Sequence, residues 1–490
     1  MADKSISPAS WEQVKNRVLD TVSIKDFGAV GDGVADDTAR IQDAINSSPL
    51  QVIHIPSGTY LVTDTITVPS GNIIVGDGAG LTTILAKSLG TSADLFSVNA
   101  PISEGLTTEF SGFTVSVSTA NARYGIVTPQ TSTTSYKPRY VFNNLLFRGE
   151  NAVAGGSSWE QDFGCTACIK LGDCFSADIR DVQVWGTYDM DAIESSSPEQ
   201  TGLYFEGTES LRNVTVDNYL TSDVKYGIDL GENNTSVYLS NIDCARGWYG
   251  IRTVATGNNG EFFATGCTFN AQRIGVELKN RSWSVLQGVH ATRHSSSYDH
   301  SDNWIGFAFT GTNHLFVSNC RSLHGGTWMN LGDRIGWSLD DVLFSKFVNI
   351  LCSSIATDME YGFKIVNSSG DLMFSNVFFD DVGKWWDFEA GTSDINIGNH
   401  SHRGAVTTKY NGYQAVSGAC NIHAFKANYH SDLLDIDPDD NAVNIGSGTL
   451  RVDDGAVWFG SINALGAETV TGFITINDAG GTQRKIAVIS

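Results

Sequence analysis

The chain has 490 residues, with 51 Gly, only 9 Pro, and 31 Lys and Arg against 54 Asp and Glu, for a formal net charge of −23. That balance excludes nucleic acid and anionic membrane surfaces as principal partners, because both need Lys and Arg to neutralise phosphate. No apolar run reaches the ~18 residues of a membrane span, and the length exceeds one ordinary globular core but suits a turn-rich solenoid with caps.

Met1 to Asp20 is polar and lacks the apolar centre of a secretory signal peptide. Within it, residues 9–20 can form a short amphipathic helix with Trp11, Val14, Val18 and Leu19 on one face, an attachment or trimer-seating peptide. Between Ile24 and Ile45 a strand runs into a turn rich in glycine (Gly28, Gly31, Gly33). Asp36 or Asp37 then caps a helix that places Ile41, Ala44 and Ile45 on one face. Such a helix plugs the open end of a first coil, so these acids serve as caps and turn residues.

Four segments here carry a resemblance: Asp26-Phe-Gly-Ala-Val-Gly-Asp-Gly, Asp36-Asp-Thr, Ile41-Gln and Val52-Ile-His-Ile-Pro-Ser-Gly-Thr-Tyr60. Together they resemble the opening of the pectate-lyase-like β-helix superfamily, and in particular the tailspike depolymerases of bacteriophages. With the coils that follow, the resemblance covers roughly residues 22–400. It implies a right-handed parallel β-helix that assembles as a homotrimer, recognises bacterial surface polysaccharide and often cleaves it. It also implies a place on the virion, at the phage tail, with the N-terminus joined to a tail or baseplate protein. The superfamily contains hydrolases, lyases and proteins that only bind, and its spikes share no catalytic motif, so no catalytic residue is carried over.

Gly76-Asp-Gly-Ala-Gly-Leu81 reads as a β-turn, since it has no Lys and sets an Asp where backbone N–H groups would meet a phosphate. From 100 to 200 coil-like runs (Tyr124-Gly-Ile-Val, Tyr140-Val-Phe-Asn-Asn-Leu) alternate with longer loops. Cys165-Thr-Ala-Cys168 and Cys174 have no second pair at metal-ligand spacing. No metal or other cofactor is expected, and the 8 cysteines read as buried reduced thiols.

From Thr201 the pattern becomes a ladder of seven glycines, each opening a short alternating run: Gly202, Gly227, Gly250, Gly275, Gly306, Gly336 and Gly362, at separations of 25, 23, 25, 31, 30 and 26 residues. Repeats of this length indicate a solenoid. A second alternating run follows each, as in Leu211-Arg-Asn-Val-Thr-Val and Leu315-Phe-Val-Ser-Asn-Cys, so each coil has at least two strands, with Asn and Gly supplying left-handed corners. Past residue 400 the ladder dissolves, and the end reads as a hairpin turning at Asp478-Ala-Gly-Gly. The expected architecture is therefore all-β. It comprises a leader (1–21), a capping region with the first coils (22–100), the main β-helix (101–400) and a small C-terminal β region for trimerisation or accessory contacts (401–490).

The ladder also sets a register. Counting each glycine as zero, positions +1 and +3 are apolar and point inward, while +2 points to solvent. Read down the coils, +2 is Tyr204, Asp229, Arg252, Glu277, Ala308, Ser338 and Lys364. Asp229 and Glu277 then stand two strands apart, roughly 9–10 Å, with Arg252 between them. Inverting glycosidases hold their carboxylates ~6.5–9.5 Å apart and retaining ones ~5–5.5 Å, so the spacing argues against a retaining pair and is just compatible with inversion. A plain Asp-Arg-Glu ion-pair ladder is the competing reading. Glu206 is a further candidate acid. The two longest coils hold a second group, in which Tyr298, Trp304 and Trp328 can stack on sugar rings and Asp302, His290, Arg293 and His294 can bond hydroxyls. His290 and Arg321 fall at equivalent positions of neighbouring coils, a cationic spot able to neutralise a uronate carboxylate if the chemistry is elimination.

Overall fold

The computed structural model describes residues 21–422, 470–477 and 483–489, apart from internal segments 91, 118–121, 131–136, 150–164, 187–199, 209–210, 254–259, 294–302, 326–332, 356–358, 368, 390, 399, 404–407 and 412–416. The expected helix over 9–20 lies outside these residues. The chain separates into two compact units, Met1–Leu434 and Asp435–Ser490.

In the first unit nearly every strand pairs in parallel with the strand one coil further on, a parallel β-helix. Each full coil carries three strands. The first is led by the repeat glycine, as in Thr201–Phe205 pairing with Tyr226–Leu230. The second and third meet at a left-handed residue, in some coils as one bent strand and in others as two; Leu211–Ser222 turns at Asn218, whose φ is 52°, whereas Phe262–Thr265 and Thr268–Lys279 are parted at Gly266. The equivalent residue is Asn241, Gly266, Gly288, Asn319, Asn349 and Asn376 in later coils, all with positive φ. Asn tolerates this backbone because its short polar side chain bonds locally. Here the amides also bond along the axis, Asn376 Nδ2 to Asn349 Oδ1 and Asn349 Nδ2 to Asn319 Oδ1, both at 3.0 Å.

The repeat glycines have a different cause. None of the seven has positive φ. A Cβ on Gly227 would stand 2.6 Å from Cys244 Sγ, one on Gly250 2.6 Å from Phe269 Cβ, and one on Gly275 2.6 Å from Ala291 Cβ. In these coils the first strand kinks inward at this point and meets the inward side chain of the third strand, which leaves no room for a Cβ.

The core is continuous, and positions +1 and +3 are buried in every coil from Leu203 to Ile365. Toward the C-terminal coils it becomes an aromatic column. Phe307 stacks on Trp337 at 3.9 Å, Trp337 on Phe363 at 5.7 Å and Phe363 on Trp386 at 4.7 Å. Seven cysteines (165, 168, 174, 244, 267, 320 and 352) are free and buried.

At the N-terminal end the helix spans Thr38–Ser47 and buries Ile41, Ala44 and Ile45. Asp36 Oδ1 accepts the Thr38 backbone N–H at 3.0 Å, while Asp37 accepts from Val30 N at 2.6 Å and Gly31 N at 3.0 Å. One acid caps the helix and the other ties down the glycine turn. At the far end, parallel pairing continues through Thr408–Asn411 and Ser417–Ile422, so the solenoid passes residue 400, where the repeat is no longer legible. In the second unit, Val470–Asn477 and Gln483–Ile489 pair antiparallel.

Candidate functional site on the first-strand sheet

The first strands build a sheet whose +2 side chains are in register, coil upon coil: Lys170 beside Tyr204, Tyr204 beside Asp229, Asp229 beside Arg252. The pairing Ile251 with Val276 puts Arg252 beside Glu277, which in turn lies beside Ala308. All four expected catalytic candidates therefore lie together, since Glu206 directly follows the strand that carries Tyr204.

Two features differ from the register drawn on alternation alone. The two acids of the +2 row are buried, Asp229 at 3% exposure and Glu277 at 7%, while Tyr204, Arg252 and Lys364 are half-buried. Moreover, position −1 shares the outer face with +2, because the inward kink at glycine takes up one step of the alternation. The Arg252 guanidinium lies 3.8 Å from the ring centroid of Tyr226, which itself packs 5.2 Å from Tyr249. Two tyrosines and an arginine thus floor the row with π faces and N–H donors.

The ionic pairing is specific. Arg252 grips Asp229 with both arms, Nη2 to Oδ2 at 2.5 Å and Nε to Oδ1 at 3.2 Å. Glu277 Oε1 takes Lys279 Nζ at 2.6 Å. At the N-terminal end of the row, Lys170 Nζ stands 2.8 Å from Glu206 Oε2 and 5.1 Å from the ring centroids of both Tyr124 and Tyr204. The Gln130 amide donates to the same Glu206 oxygen at 2.9 Å. Burial and the bond to Glu206 hold the Tyr204 phenol well above its ordinary range, so it remains an O–H donor.

Burial would raise the Glu206 pKa, but Lys170, Tyr204 and Gln130 outweigh it and hold the carboxyl below its usual value. A general acid at neutral pH requires the opposite shift, so Glu206 is an ionised group that positions its neighbours. Because its folded pKa is depressed, its stabilisation is present above 4.5 and is lost as pH falls through the lowered value. Thermal melts between about pH 3 and 6 should therefore show a shallower acid limb in Glu206→Gln than in the wild type.

The second group of expected residues is divided. His290 and Arg321 do pair in register, on the third-strand sheet. His290 is exposed, and Arg321 reaches Ser353 Oγ at 3.3 Å. They belong to a different sheet from Asp229 and Glu277. Trp304 is not a sugar platform: it is fully buried, with its indole N–H donating to Ala271 O at 3.2 Å. Arg293 is 5% exposed and directs Nη1 at His324 Nε2, 3.3 Å away, so it braces a corner instead of lining an open surface. The apolar column at position +1 absorbs large rings here, and the coil turns the neighbouring Trp inward as well. His294, Tyr298, Asp302 and Trp328 lie outside the described residues. Among the described residues no group of three or more His, Cys, Asp and Glu gathers as metal ligands would.

Lys170, Tyr226, Tyr249 and Lys279 are missing from the residues that sequence reasoning singles out. Extending the ladder back to Ala167-Cys-Ile-Lys170 would have found the first of them, which keeps the register although Cys168 replaces the glycine.

Comparison with known proteins bears on the fold. A family model described as rhamnogalacturonase A/epimerase, pectate lyase-like, matches residues 21–143. Mannuronan C5-epimerase AlgE5 of Azotobacter vinelandii is 42% identical over 72 residues, 13% of this chain and 7% of the relative. The pre-neck appendage protein of Bacillus phage B103 is 42% identical over 57 residues, 12% of this chain and 6% of the relative. The chain thus aligns with less than a tenth of either relative's length. Among solved structures, bacteriophage phi29 gene product 12 superposes with a TM-score of 0.55 at 14% identity, over 82% of this chain and 59% of that one. The chain is a parallel β-helix that is similar over residues 21–143 to a pectate-lyase-like family, with a bacteriophage protein among its structural neighbours.

Proposed function

We propose that the protein is a phage tailspike that binds a bacterial surface polysaccharide, capsule or O-antigen, and depolymerises it by hydrolysing a glycosidic bond. In this reading it acts on the virion as a homotrimer joined to the tail or baseplate through its N-terminus. The observation that carries the reading is the continuous row Tyr204–Asp229–Arg252–Glu277, with Tyr226 and Tyr249 beside it, on one sheet. The strands that carry the two carboxylates stand about 9–10 Å apart, with the Arg252 strand between them, at the upper end of the separation of an inverting acid and base. Rigid strands hold such a pair better than loops would. Glu277 is the candidate acid and Asp229 the candidate water-activating base, with Arg252 orienting Asp229 and offering N–H donors to the sugar.

One observation favours a second reading, a spike that binds glycan without cutting it. Asp229 is held by two bonds from Arg252 and Glu277 by Lys279, the arrangement of an ion-pair ladder. Incubation with purified host polysaccharides separates the two readings. New reducing ends without ultraviolet absorbance mean hydrolysis, and absorbance of unsaturated uronate means elimination at a site such as His290 and Arg321. Retention of the glycan with neither product means binding alone.

A further inference from the structure

One position in the solenoid core holds a buried charge. At the corner that opens the second strand, three coils set an inward polar side chain that caps the backbone carbonyls of the turn, while Leu211 and Val342 fill the same column with apolar groups. Asn234 Nδ2 donates to Gly231 O at 2.6 Å, Ser369 Oγ to Val366 O at 2.9 Å and Thr392 Oγ1 to Glu389 O at 3.1 Å. The same column contains Arg281 and, one coil on, Thr312, as the register of Ser282 with Asn313 requires.

Neither of these two makes the capping bond. Arg281 is 0% exposed, and its Nε, Nη1 and Nη2 have no hydrogen-bond partner. The Thr312 hydroxyl, 1% exposed, is likewise unpartnered, as is that of Ser284, 0% exposed and three residues along the strand from Arg281. The guanidinium carbon lies 5.6 Å from the Phe262 ring centroid, and Phe262 pairs in register with Ser284. Burial lowers the Arg281 pKa to about 9, which still leaves the group protonated at neutral pH. A buried charge without a counter-charge is among the costliest groups a core can hold. The three side chains bring the guanidinium N–H groups and two hydroxyls that can donate, and no carboxylate.

We infer that the core binds a small monovalent anion of the halide class at Arg281, with the Ser284 and Thr312 hydroxyls as further donors. A halide carries the missing charge, accepts from several directions at once, and asks for no acceptor or donor geometry of its own. A polysaccharide carboxylate is excluded by the complete burial of all three side chains. The anion ties the coil of Arg281, whose first strand carries the candidate acid Glu277, to the next coil, that of Thr312.

Crystals of the full chain soaked in sodium bromide should show an anomalous difference peak beside Arg281. Melting at fixed ionic strength should be higher in sodium chloride than in sodium gluconate by about 1–3 °C, and the difference should vanish in Arg281→Met. Thr312→Val, a milder change, should reduce it if Arg281→Met fails to fold. Absence of the bromide peak, or equal melting of the wild type in the two salts, overturns the inference and leaves water as the occupant.

Discussion

Glu277→Gln is expected to lower kcat for polysaccharide cleavage by about 10²–10⁴-fold, with little change in thermal stability. Asp229→Asn should match it in kcat. The physical case rests on the +2 row. Glu277 is 7% exposed and Asp229 3%, so both carboxylates act in a medium of low dielectric where proton transfer and charge development are felt strongly. Gln and Asn keep the volume and one acceptor oxygen but cannot carry the proton. The two variants also differ in a useful way. Asp229→Asn breaks the charge pair with Arg252 and leaves that guanidinium with a neutral partner, so it should raise KM as well as lower kcat. Glu277→Gln releases Lys279, which is 31% exposed and can turn to water. Reducing-end assays on both proteins, with melting curves as a control for folding, make the comparison. Undiminished kcat in both would reduce the row to an ion-pair ladder and favour the glycan-binding spike.

Much of the fold was legible because a solenoid repeats its own errors and its own rules. A glycine every 23 to 31 residues marked one strand per coil, and the apolar +1 and +3 positions marked the core. What could not be read was the reason for the glycine. It serves contact with Cys244, Phe269 or Ala291, residues of another strand, and nothing local signals that contact. The inward kink that follows moves position −1 to the outer face, which strict alternation forbids. Tyr226 and Tyr249 were therefore missed as floor residues while their +2 neighbours were found. The third strand was hidden for a similar reason. Leu211–Ser222 is a single strand with left-handed residues only at Asn213 and Asn218, and one-residue corners leave no gap in the pattern. Trp304 misled because aromatic residues beside a loop suggest sugar stacking, whereas burial is decided by which way one coil turns.

Trp337→Ala should destabilise the β-helix by about 3–5 kcal/mol, the usual cost of deleting a large buried ring. Trp337 is fully buried and faces Phe307 at 3.9 Å on one side and Phe363 at 5.7 Å on the other. Removing it opens a gap in the middle of a stack that runs from Phe307 to Trp386, and neighbouring rings fixed to a rigid sheet cannot collapse to fill it. Trp337→Phe keeps a ring in the column and should cost much less. A solenoid is held by contacts between adjacent coils, so the loss should fray the coils around Ile335–Ile365 before the rest. Denaturant titration measures the total. Hydrogen exchange of the Arg334–Asp340 and Met359–Val366 strands shows whether the fraying is local. The Asp229–Glu277 row sits on earlier coils, so kcat at low temperature should persist in Trp337→Ala and fail at a lower temperature than in the wild type. That is the reverse of the Glu277→Gln signature, in which stability persists and turnover is lost. Uniform exchange across the whole β-helix would instead mean that the coils unfold as one cooperative unit, and activity and stability would then fail together in Trp337→Ala.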